Sequence, residues 1–274
     1  MGRNKRTIKP VKIDRRYYIA YRNLLVKYAK QLNLIIARRL FDLLKYLQPK
    51  YAKNSVLMFN DESILNAFSW IDEQADMLYE QYGPLVVSLL VRMKDNDQER
   101  FYKNLSEQTG ISLKNILEGE NIQDSFALAI KENLNLIKTL SQKQLSRVQN
   151  VVLSNLRAGN FQASEIKKQL VDDFGMSERH AKFIARDQSH KMTSNLNQLR
   201  YENLGVTKYI WRTSKDRRVR GDPDGKYPKA KPSHYVREGK IYSFAKPPAG
   251  GNPGEPINCR CYAEPILPEE YTNL

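Results

Sequence analysis

The two cysteines of this chain, Cys259 and Cys261, stand one residue apart in the run Asn-Cys-Arg-Cys near the C-terminus. In a β-strand alternate side chains share a face, so both thiols project together while Arg260 points the other way, toward solvent, a partner or a carboxylate. A disulfide between them is disfavoured, because i and i+2 Cβ atoms lie well beyond the ~3.8 Å that such a bond requires. Two thiols on one face suit a shared metal, with thiolate sulfur about 2.3 Å from zinc. A tetrahedral site then needs two more ligands. His234 is the one histidine in the C-terminal portion, and Asp216, Asp222 and Asp224 lie just before it. A zinc site of Cys259, Cys261, His234 and one of these carboxylates is chemically possible. Two other readings of the thiols stay open: small half-buried residues packing the inner face of a strand, or a redox or nucleophilic cysteine.

Other catalytic chemistry finds little support. The chain has three histidines, and His180 and His190 are ten residues apart in a predicted helix, which sets them roughly 80° apart around its axis. No His-Glu-x-x-His, phosphate-binding Walker loop or Gly-x-Ser-x-Gly motif is present. Asp216, Arg218 and His234 would serve as the acid–base group of a nuclease, but a charged segment yields such a trio easily. The expectation is a protein that is not an enzyme and requires no cofactor, zinc excepted.

Charge points to partners instead. Lys and Arg number 45 against 30 Asp and Glu, a net charge of +15, which favours polyanions. From Lys208 to Lys240 there are eleven basic and four acidic residues, interleaved with Tyr209, Trp211, Tyr227 and Tyr235. Phosphate contacts of this kind need no sequence readout, and aromatic rings stack on exposed bases. The first sixteen residues carry seven Lys or Arg and one Asp, and read as a basic arm. The candidate DNA contacts are Arg3, Lys5, Arg6, Arg15, Arg16, Arg217, Arg218, Arg220, Lys226, Lys229 and Lys231. The longest apolar run, residues 84–91, is far below the roughly 20 residues that span a bilayer, so no membrane partner is expected. Two cysteines make no disulfide framework, which fits synthesis in a reducing cytoplasm.

The elements that must position these residues change character near residue 205. Before it, apolar residues recur at helical spacing; after it Gly, Pro, Tyr and Lys/Arg dominate, and nine of the twelve prolines lie beyond residue 220. This predicts an α+β chain: a helical body followed by a small C-terminal α+β part with a short antiparallel sheet and long Pro/Gly loops. One helix is predicted over 15–48, with the stripe Tyr21, Leu24, Tyr28, Leu32, Ile35 and Leu43. Asn60 is positioned to cap a second, with the stripe Ile64, Phe68, Ile71, Ala75 and Leu78, and Tyr-Gly-Pro-Leu at 82–85 should break or kink it. Residues 122–158 read as two helices, since Ser141 and Gln144 have capping-box spacing. A short helix over 164–174 should end at Gly175, with Ser177 capping another that runs to Leu204. Strands are predicted over 206–213, 240–244 and 258–266.

The order of these features resembles the phage Mu protein F-like minor head (head-morphogenesis) family of tailed bacteriophages. The resemblance rests on Ile184–Arg186 in a helix, Gly205 to Trp211 as a Gly-x-x-x-Tyr-x-Trp strand, Asp216 with Arg218–Arg220, Ser233-His234 with Gly239-Lys240, and Pro253-Gly254 with Asn258–Cys261. It covers roughly residues 130–267 and divides the chain into a basic arm (1–16), a helical region without a family counterpart (17–120), the helical part of the Mu F-like region (121–205), its β-rich part (206–267) and a tail (268–274). The family usually has Glu where Asp187 stands, and many members carry a further Cys pair where this chain has Arg220 and Asp222, which puts a four-thiolate site out of reach here. The resemblance places His234 and Asp216 as the residues that meet Cys259 and Cys261, as a structural clasp or a zinc site, and it implies a low-copy head component in the virion, made in the bacterial cytoplasm. It implies association with the portal protein, with major capsid or scaffold protein as further partners, and non-specific contact with double-stranded DNA.

Overall fold

The computed structural model describes residues 7–51, 62–110, 122–160 and 162–269. Asn60, Arg3, Lys5 and Arg6 lie outside them. The chain is α+β. Four long helices, α1 (Arg15–Tyr51), α2 (Glu62–Thr109), α3 (Gln123–Arg157) and α4 (Ala163–Asn203), precede a three-stranded sheet of β1 (Lys208–Arg212), β2 (Ile241–Ser243) and β3 (Tyr262–Pro265). No helix among the described residues is long and apolar enough to cross a membrane. The chain divides into two compact units, Ile19–Leu89 with Lys131–Ala185, and Met1–Tyr18 with Leu90–Ile130 and Arg186–Leu274.

The first unit is all helical. Its α1 face is Tyr21, Leu25, Tyr28, Leu32, Ile36, Leu40, Leu44 and Leu47, all buried. That is the predicted stripe shifted by one residue at three points, with Leu24, Ile35 and Leu43 half-buried on its flank. The α2 stripe Ile64, Phe68, Ile71, Ala75 and Leu78 is buried as predicted. Three predicted breaks do not occur. α2 runs on through Pro84, with Tyr82 and Val86 on either side both buried. α3 is continuous, and Ser141, read as a cap, bonds back to the Ile137 carbonyl and meets the Tyr28 hydroxyl. α4 continues through Gly175, where Ser177 donates to the Phe174 carbonyl at 2.9 Å and to Asn33 Oδ1 at 3.2 Å. In each case a local stop signal, worth ~1 kcal/mol for the cap and the glycine and ~3 kcal/mol for the proline, loses to burial of whole apolar faces on both sides of it.

In the second unit the sheet order is β2-β1-β3, antiparallel throughout. Tyr209 pairs with Tyr242 and Trp211 with Ala263. Tyr209, Trp211 and Thr213 alternate inward and are buried, while Ile210 and Arg212 are half-buried. Tyr209 and Trp211 join Ile8, Val11, Phe101, Leu105, Tyr201, Leu204, Phe244, Cys259, Cys261 and Leu267 in one core. The predicted arm is folded from Thr7 onward. Thr7 bridges Ile266 beyond β3, Asn104 Nδ2 donates to the Lys9 carbonyl at 2.8 Å, and Asn197 Nδ2 donates to that of Val11 at 2.8 Å.

Candidate functional site

Trp211 is the platform on which the site is built. Its position at the centre of the middle strand buries the ring completely, and the His234 ring meets it edge-on with centroids 5.2 Å apart at 77°. His234 precedes the 3-10 turn Tyr235–Arg237, and its backbone N–H donates to the Arg220 carbonyl at 2.9 Å. The Arg237 guanidinium lies over the Trp211 ring, 4.8 Å from its centroid, and donates to the Ala249 carbonyl at 2.6 Å. The imidazole is thus held by its backbone on one side and by ring packing on the other.

The cysteines reach His234 from the segment leading into β3, a shorter strand than predicted. Cys259 Sγ lies 3.6 Å and Cys261 Sγ 3.5 Å from His234 Nδ1, and all three side chains are buried. Both thiols do share a face. The Cys261 thiol donating to Cys259 pulls the Cys259 pKa down to about 4 against the opposing effect of burial, helped by His234 and the Gly254 N–H. The same contact, with burial, pushes Cys261 up. Two sulfurs and an imidazole nitrogen within 4.8 Å of one another are a donor set that suits a borderline-soft ion such as zinc.

Asp216 is not the fourth member. Its carboxylate takes both guanidinium nitrogens of Arg260, Nη2 donating at 2.6 Å to Oδ1 and Nη1 donating to Oδ2. Burial alone would raise its pKa, yet the Arg260 hydrogen bonds and the Arg218 N–H hold it below the usual carboxylate range. Of the three alternatives for Arg260, solvent, a partner or a carboxylate, the side chain takes the carboxylate, that of Asp216. The trio Asp216, Arg218 and His234 does not assemble: Asp216 is held by Arg260, Arg218 is exposed, and His234 is buried against the thiols.

The loop that delivers the thiols is fastened to α4 by residues that the sequence marked without assigning a role. Asn258 adopts a left-handed backbone with φ 57°. Its N–H donates to Asp187 Oδ1, and its Oδ1 accepts from Arg186 Nε at 2.8 Å. Lys191 pairs with Asp187 at 3.0 Å. Nearby Gly254 has φ +95°, and a Cβ there would land on the Ser194 hydroxymethyl. Gly254→Ala should destabilise the chain by more than ~1 kcal/mol, with Ser194→Gly in the same chain recovering the steric part and not the backbone part. Thermal unfolding of the single and double variants would measure both.

The basic residues divide into two groups. Arg217, Arg218, Lys226, Lys229 and Lys231 are exposed, with Tyr227 51% exposed among them, on a loop closed by the Gly221 N–H to Tyr227 carbonyl bond. Arg15 is exposed, as is Arg16, which pairs with Asp14 at 2.8 Å. Arg220, by contrast, is structural: its guanidinium donates to the Ile257 carbonyl at 2.6 Å, and its own carbonyl accepts from His234 and Tyr235.

A small antiparallel sheet packed on helices, with a Cys-x-Cys segment returning to one histidine and pinned to the preceding helix, defines this C-terminal part. Residues 146–264 match the family described as Phage Mu protein F like protein. A protein of Haemophilus influenzae described as an uncharacterized protein is 31% identical over 274 aligned positions, covering 96% of this chain. The chain spans 56% of that relative's length. No solved structure matches.

Proposed function

We propose that this chain is a minor head protein of a tailed bacteriophage that works by binding during head morphogenesis, without catalysing a reaction. The observation that carries the reading is the match of residues 146–264 to the Mu protein F-like family. On this reading the protein resides inside the head, associates with the portal vertex and other head proteins, and holds DNA through sequence-independent phosphate contacts. The exposed cluster Arg217, Arg218, Lys226, Lys229 and Lys231 supports the last point, as does the net charge of +15. Co-expression with the phage's portal and capsid proteins should bring the chain into sedimenting proheads; a chain that stays in the supernatant would remove the assembly role.

DNA contact has its own test. Each phosphate neutralised contributes about 0.9 to the slope of log affinity against log salt. Replacing the five exposed loop residues with alanine should lower that slope by roughly 0.9 for each phosphate that is no longer neutralised, equally for unrelated duplex sequences. An unchanged slope would place DNA binding elsewhere or nowhere.

A further inference from the structure

We infer that His234, Cys259 and Cys261 form a zinc site with three protein ligands and a fourth position left to solvent. The inference stands apart from the head-assembly reading, because it rests on the donor geometry alone. Zinc bonds of about 2.3 Å to thiolate and 2.0–2.1 Å to imidazole, opened at the tetrahedral angle, put sulfur about 3.6 Å from nitrogen. The two Sγ···Nδ1 separations are 3.6 and 3.5 Å. A network held by hydrogen bonds alone gives no reason for this equality, since Nδ1 of one imidazole exchanges one proton and cannot serve two thiols alike. Equal approach to both is the spacing of three donors around a common centre.

The ligand count follows from what surrounds the cluster. Among the described residues no fourth His, Cys, Asp or Glu joins it, and Asp216, the carboxylate expected there, is taken up by Arg260. Three ligands with one open position distinguish this arrangement from the closed four-ligand structural zinc sites. Cys261 also lines a cavity of about 530 Å³, together with His190, Arg260, Asn197 and Tyr201. That cavity is roomy enough for water, and Cys261 is the ligand that borders it. Burial raises the value of the site: His234 is 2% exposed, Cys259 5% and Cys261 6%. An ion held there ties the Cys-x-Cys segment to the 3-10 turn and to Trp211 at one point.

The test uses the full chain. Purified protein, stripped with a chelator and titrated with cobalt(II), should take up one equivalent and show the intense charge-transfer and ligand-field bands of a tetrahedral thiolate site. Zinc should bleach those bands by displacement. His234→Ala, Cys259→Ser and Cys261→Ser should each weaken binding by more than the roughly 10–100-fold that loss of an outer-shell partner costs, whereas Asp216→Asn should leave occupancy unchanged. Should the cysteine variants fail to fold, the wild-type cobalt spectrum still decides the matter. No bound metal in the wild-type chain, or a spectrum without sulfur charge transfer, would overturn the site. Loss of metal in Asp216→Asn with the fold intact would overturn the three-ligand set.

Discussion

Trp211→Ala is expected to cost about 3–5 kcal/mol, the range for removing a large buried aromatic ring. The ring is fully buried in the middle strand. It touches Tyr242 edge-on with centroids 6.0 Å apart, meets His234 at 5.2 Å, and lies under Arg237 at 4.8 Å. Truncation would remove packing from β2, from the 3-10 turn and from the cluster together, and little of the cavity can collapse because Trp211 is fixed between paired strands on both sides. Trp211→Phe keeps the volume in part and should cost less than half as much. Urea unfolding would read the loss as a lower midpoint at an unchanged slope. A second readout follows from position: with His234 uncovered, Cys259 and Cys261 should react faster with a thiol reagent than in the wild type. A Trp211→Ala chain of wild-type stability would refute the platform role.

The readings that hold from sequence to structure are those set by a repeat or by rare residues. Helical stripes of Tyr21, Tyr28 and Leu32, or of Ile64, Phe68 and Ile71, repeat over many turns, so one misplaced residue does not move the face. Cys259, Cys261 and His234 are legible because a chain with two cysteines and one C-terminal histidine offers few combinations. What fails are single-residue signals. Pro84, the Ser141–Gln144 pair and Gly175–Ser177 each carry a genuine local preference, but Ser141 and Gln144 are buried, not exposed at a helix end. A capping-box spacing looks the same whether its residues face water or a neighbouring helix.

Asp216 fails for a related reason. Its partner Arg260 is distant in the chain, and strand alternation, the only local guide, assigns Arg260 to the outside. The segment is not yet strand at Arg260, since β3 begins at Tyr262, so the side chain is free to turn toward Asp216. Arg186 and Asp187 show the converse. They are visible as a motif piece in a helix, yet their work, holding the left-handed Asn258 in front of the first thiol, depends on a contact that no spacing rule reports. The resemblance marks these separated fragments, and the structure gives the physical reason that they occur together: helix, loop and thiols form one mechanical connection.

The other large effect belongs to Arg200 and Asp97. Arg200 is fully buried and donates through Nη1 to Asp97 Oδ2 at 3.1 Å, with its guanidinium over Phe101 at 5.2 Å. Removing one member of a buried ion pair costs about 3–5 kcal/mol, because the other charge is left without compensation. The two truncations should nonetheless differ in their response to pH. Burial already raises the Asp97 pKa to about 6, against the lowering effect of Arg200. A carboxyl whose folded pKa exceeds its unfolded value binds its proton more tightly in the folded state, so stability declines as pH rises between the two values and is restored as pH falls. Arg200→Met takes away the lowering effect, so Asp97 should climb further and take up a proton when buried alone. The cost of Arg200→Met should therefore shrink as pH is lowered from about 8 to 5. Asp97→Asn leaves Arg200 a guanidinium, which cannot shed its charge in this range, so lowering the pH offers that variant no equivalent relief. Unfolding midpoints of both variants at the two pH values would settle the point: equal recovery in the two would mean that Asp97 does not hold the titrating proton.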